Sequence, residues 1–238
     1  MTDETLPRRR FLLGAGTAVA ASLAAPAEAQ APQPASPPAA APAAAGEPET
    51  LLTLTATEHA FFAAAADTLI PADELSPAGS ECGIATFIDR QLASAWGGGA
   101  KMYRSGPFLK GKPEQGYQLS LTPREFFAAG VAATSAWTRK AYGKDFDRLD
   151  ATQREQALKT LEGGKAELAD FDGKQFFEAL LAIIMEGFFA DPIYGGNRNK
   201  VAWKMVGFPG LPATYANAIE QYRGKRYVAE PQSIADFS

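Results

Sequence analysis

Residues 173–190 read GKQFFEALLAIIMEGFFA, and the fold turns on this stretch. Phe176, Phe177, Leu180, Leu181, Ile183, Ile184, Phe188 and Phe189 spread around nearly the whole circumference of a helix with 3.6 residues per turn. Such a helix belongs in the middle of a core or against a partner. Other segments carry helical periods of their own. Thr55-Ala56-Thr57-Glu58 is a capping box, and Phe61, Phe62, Ala65, Leu69 and Ile70 follow it until Pro71 stops the helix. Ile84, Phe87, Ile88, Leu92 and Trp96 repeat with the same spacing up to Gly97-Gly98-Gly99. Thr122-Pro123-Arg124-Glu125 combines an N-cap, proline at the first helical position and Glu at the third, and that helix runs to about Tyr142 before Gly143. A polar helix spans about Ala151 to Glu162 and ends at Gly163-Gly164. Clear alternation of β-branched residues is missing, so the reading is an all-α single domain over 49–238.

Three connections exceed the usual length: 71–83, 97–121 and 191 to about 210. Long ordered loops are where function concentrates.

The N-terminus reads as an address. Arg8-Arg9-x-Phe11-Leu12 fits the twin-arginine export pattern, with Pro7 where Ser or Thr is commoner, and an apolar stretch follows to about Ala25. Ala27-Glu28-Ala29 is a small-x-small cleavage signal that closes a leader over 1–29. The stretch is about 15 residues, short of the roughly 20 that a stable span requires. Gly14-Ala15-Gly16 imitates a dinucleotide fingerprint but lies inside the leader and has Val19 in place of the third glycine. Residues 30–48 hold six prolines among alanines and read as a linker, because nothing there can offset the entropy of ordering.

Composition excludes several chemistries. The 238 residues carry 23 Lys+Arg against 27 Asp+Glu, a net charge of -4, which argues against a nucleic-acid surface. One Cys leaves no intrachain disulfide, no iron–sulfur cluster and no CxxCH for haem, and one His removes most metal sites. No catalytic, cofactor-binding or metal-ligating set emerges. His59 reads as a helix-start residue, and Asp67, Asp73, Glu74 and Glu81 read as an acidic pocket or a Ca²⁺ site, without the spacing of a calcium hand.

The sequence EGFFADPIYGGN at 186–197, followed by Trp203 and Gly207-Phe208-Pro209-Gly210, resembles the gluconate 2-dehydrogenase subunit 3 family. Leu69-Ile70-Pro71, Gly83 and Phe87-Ile88-Asp89 resemble that family's N-terminal block, and the leader fits it too. The resemblance spans roughly Leu52 to Gly210. It implies the small subunit of a periplasmic, membrane-associated dehydrogenase in which a flavoprotein carries FAD and a multihaem cytochrome c takes the electrons. The small subunit then holds neither cofactor, lacks catalysis of its own, and supports maturation and twin-arginine export of the flavoprotein, which travels through the translocase with it.

Asp191-Pro192 and Gly195-Gly196-Asn197 supply the chemistry of a tight, solvent-facing turn. The block reads as a rigid turn, as a docking loop for the flavoprotein, or as a substrate loop. Under the docking reading, Phe188, Phe189, Tyr194, Trp203 and Phe208 are interface residues, and Gly195, Gly196 and Asn197 set the loop shape. Cys82 is either buried and inert or a bridge to a partner chain. The alternative to an accessory subunit is an independent periplasmic binding protein or enzyme using the acidic loop and the Tyr194 region.

Overall fold

In the computed structural model, which describes residues 50–237 except 110, 113, 114, 170 and 213, the apolar segment is the central helix. Arg8, Arg9, Phe11, Leu12, Ala27, Ala29 and the 30–48 linker lie outside the described residues. Seven α-helices are present among those described: α1 (Ala56–Leu69), α2 (Ile84–Ala93), α3 (Pro123–Tyr142), α4 (Ala151–Glu162), α5 (Gly173–Phe189), α6 (Val201–Val206) and α7 (Ala216–Tyr222). They include no strand, and one isolated parallel bridge joins Gly210 to Gln232. The all-α expectation holds.

Helix α5 packs against α2, α3, α4 and α6, which is why it is apolar on nearly every side. Phe176, Phe177, Leu180, Ile183, Ile184 and Phe188 are buried along it. Around Phe176 the core is largely phenylalanine. Phe61 meets Phe146 at 4.8 Å between ring centroids, and Phe126 meets Phe171 at 5.3 Å, in the tilted arrangements that suit the ring quadrupole. Burying each such ring contributes about 2–3 kcal/mol by removing apolar surface from water.

Local chemistry sets most helix ends. Both capping boxes form: Glu58 N donates to Thr55 Oγ1 while Thr55 N donates to the Glu58 carboxylate, and Thr122 with Glu125 repeat the arrangement. A third, Asp150 with Gln153, starts α4.

Two expectations need correcting. Helix α2 stops at Ala93 and leaves Trp96 exposed. Ser94 causes this, because its hydroxyl donates to Gln91 O and accepts from Trp96 N, and the chain turns sharply there. The 191–210 segment is no open loop but holds 3-10 turns at Pro192–Tyr194 and Arg198–Lys200 and the two-turn helix α6.

The N-terminal end of the described chain is held by one carboxylate. Asp89, buried on α2, accepts from Leu52 N at 2.7 Å, Thr53 N at 3.0 Å and Leu54 N at 2.8 Å. Three orphan donors are satisfied by a single side chain, which explains why a carboxylate tolerates burial there.

Candidate functional site

The segments quoted from the two halves of the chain meet in space. At its N-terminus, α2 begins on Gly83, whose φ of 79° is open to glycine and costly for other residues. A Cβ there would lie 2.3 Å from Gly195 O and 2.7 Å from Arg198 Nε, so the second block sits directly on the first. Arg198 N donates to Cys82 O at 3.1 Å, and Arg198 Nη2 donates to Thr86 Oγ1 at 3.3 Å. From α2, Arg90 Nη1 reaches Ile193 O at 3.4 Å.

The block also folds back on its own helix. A Cβ on Gly196 would lie 2.1 Å from Gly187 O, so two backbones touch where α5 ends. Asn197, fully buried with φ 46°, ties the turn together: its Nδ2 donates to Ala190 O at 2.9 Å, and its Oδ1 accepts from Ala202 N at 2.9 Å. The second bond satisfies an orphan donor in the first turn of α6, a capping role played from outside the helix. Trp203 Nε1 donates to Phe189 O at 2.8 Å, and Phe208 lies edge-on to Trp203 at 5.1 Å.

The C-terminal segment straps this assembly. Asp191 Oδ1 accepts from Ile193 N, and its Oδ2 from Ile234 N at 2.9 Å. Lys200 Nζ donates to Pro231 O and to Asp236. The hydrogen bond from Lys200, reinforced by Ser233 N, holds the Asp236 carboxyl below its ordinary range. That tie is present above the ordinary carboxylate pKa and is lost as pH falls through the lowered one. Burial pushes the Glu186 carboxyl up.

The site residues named from sequence divide by exposure. Phe188, Gly195, Gly196 and Asn197 are buried in this chain, and Trp203 is only 6% exposed, so the turn is not solvent-facing at its glycines. Phe189 is half-buried against Phe188. Tyr194 is 49% exposed and Phe208 44%, and these two present surface. Sequence reasoning missed Ile193, Ile234 and Phe237, all exposed, in two turns, Pro192–Tyr194 and Ile234–Phe237, that pack on each other. Ile193 lies inside the quoted block and was open to notice; nothing local marks the other two.

Cys82 is buried, its Sγ 3.7 Å from Pro77 O. Burial foremost, with Glu81 nearby, pushes its thiol up to about 11. Such an environment favours the inert reading over a bridge, because the thiolate is the reactive form. A maleimide or disulfide reagent at neutral pH is therefore expected to leave the native chain largely unlabelled and to react fully after denaturation. Rapid stoichiometric labelling of native protein would overturn that.

The acidic loop serves its own backbone. Asp67 Oδ1 accepts from Ser80 N, and Asp73 Oδ1 accepts from Leu75 N and Ser76 N. Among the described residues no three His, Cys, Asp or Glu side chains group as metal ligands. His59 lines a shallow cleft of about 350 Å³ with Leu51, Ser80, Thr86 and Arg198. Tyr194 is not part of that cleft.

No curated protein and no solved structure matches the chain. A family model described as gluconate 2-dehydrogenase subunit 3 matches residues 56–210, the span that contains both touching blocks, and the chain belongs to that family.

Proposed function

We propose that this chain is the non-catalytic small subunit of a periplasmic flavin-dependent dehydrogenase complex of the gluconate 2-dehydrogenase kind. It escorts the catalytic flavoprotein through the twin-arginine translocase and supports its maturation. FAD sits on that flavoprotein and haem c on a cytochrome subunit. The observation that carries the reading is the exposure of Ile193 and Tyr194 on a braced turn within the family-matched span, with Phe208 exposed beside the buried Trp203. Exposed aromatics on a rigid support are what protein interfaces use, since they add contact area at small entropic cost.

Affinity capture of the chain from periplasm or membranes is expected to recover a flavoprotein that has no leader of its own. Replacing Arg8 and Arg9 together by Lys is expected to strand dehydrogenase activity in the cytoplasm. Recovery of the chain alone, with dehydrogenase export unchanged when the chain is deleted, would sink the proposal.

The second reading, an independent small-molecule binder, was expected at the acidic loop and Tyr194; the cleft that favours it lies instead at His59, with Ser80 its contribution from the 71–83 loop. It requires thermal stabilisation by sugars or sugar acids, as any ligand selective for the folded state produces.

A further inference from the structure

We infer that the excursion between α2 and α3 is a peripheral contact for an anionic lipid surface. This inference is independent of the proposed subunit role. Residues 97–121 carry Lys101, Arg104, Lys110 and Lys112 against Glu114, a net charge of +3 within a chain of net charge -4. Tyr103 is 72% exposed and Leu109 74%, with Phe108 and Leu119 also exposed. Lys101, Arg104 and Lys112 are exposed and make no ion pair among the described residues, although Arg104 lies near enough to Glu125 to help lower its carboxyl.

The base of the excursion is fixed, and among its described residues the tip shows no hydrogen bond to another element. Tyr117 stacks on Phe126 at 4.1 Å between centroids, which seats the return limb on the core. At the tip the hydrogen bonds are local: Met102 N to Gly99 O, Tyr103 Oη to Gly106 O, and Lys112 N to Gln115 Oε1. The Tyr194 face differs on both counts, being braced by long-range bonds from Asp191 and Arg90.

A protein partner selects a rigid, shape-complementary surface. A bilayer interface asks for less: apolar and aromatic tips that enter the headgroup layer, and Lys or Arg stems that lie along it with the charge at the phosphates. The tip meets that description, with its net charge of +3 set against a chain of net charge -4. Among the described residues no helix is long and apolar enough to cross a membrane, so the contact is peripheral.

The test is flotation of the purified full chain with vesicles of phosphatidylcholine alone and of phosphatidylcholine mixed with phosphatidylglycerol. Binding to the mixed vesicles, weakened by salt and absent from the neutral ones, is expected. Each basic residue near an anionic surface contributes about fivefold, so the triple variant K101Q/R104Q/K112Q is expected to bind roughly 100-fold more weakly. Tyr103→Ser with Leu109→Ser should also release the chain, and neither variant should move Tm, because these side chains are exposed. No binding to mixed vesicles, equal binding to neutral ones, or binding that survives both variants would overturn the inference. So would loss of a captured protein from the triple variant with lipid binding unchanged, which would assign the loop to an acidic protein surface.

Discussion

Gly196→Ala is expected to lower the stability of the domain by about 3 kcal/mol, near the upper end of overpacking costs, because its new methyl has only backbone to displace. A Cβ there would stand 2.1 Å from the Gly187 carbonyl oxygen, and that carbonyl belongs to the last turn of α5. Neither side can yield without moving the central helix or opening the turn that Asn197 holds. For a domain of this size the loss corresponds to a Tm lower by roughly 6–12 °C. Gly143→Ala is the control. Gly143 has φ +76° and nothing within 4 Å of its would-be Cβ, so it carries only the conformational cost of about 1 kcal/mol. Thermal melts of the two variants side by side separate space from backbone conformation. Equal losses would remove the claim that the backbones touch.

The second large effect concerns the proposed flavoprotein partner. Tyr194→Ala is expected to weaken recovery of the flavoprotein by about 30-fold, the effect of a hot spot of about 2 kcal/mol, with Tm nearly unchanged because the ring is 49% exposed. Trp203→Ala should behave oppositely. It removes a buried indole together with its bond to Phe189 O, and large-to-small changes of this kind cost about 3–5 kcal/mol of folding stability. Its loss of complex should therefore track loss of fold. Capture and melting measured on the same preparations distinguish the two, and a Tyr194→Ala chain that melts early or still holds its partner would count against the docking face.

These two aromatics show what a sequence displays and what it hides. Tyr194 stands in the quoted segment 186–197 and Trp203 just beyond it, and both were expected to act alike, since an aromatic residue looks the same whether it fills a core or caps a surface. The helix starts at Thr55 and Thr122 were legible because each depends on side chains three residues apart. The start of α6 was not, because Asn197 caps it from outside and Asn197, Asn199 and Lys200 all take positive φ without being glycine. The end of α2 was misjudged at Trp96 because Ser94 outweighs the apolar period. Contact between the two family blocks was equally invisible, since Gly83 and Gly195 lie far apart along the chain and the fold alone brings them together. What was legible was the pairing of a low-chemistry composition with a shaped, aromatic turn, and the fold supplies the division within that turn between bracing residues and presenting ones.

The carboxylate of Asp89 acts as a cable clamp. Among the described residues, the stretch ahead of α1 is held at Leu52, Thr53 and Leu54, through three bonds to one side chain in the middle of α2. Those bonds lie immediately ahead of the cap of α1 at Thr55, so a disturbance of the chain before Leu52 meets them before it meets that cap. The clamp gives the first helix strain relief: its start at Thr55 is tied to α2 as well as to its own capping box.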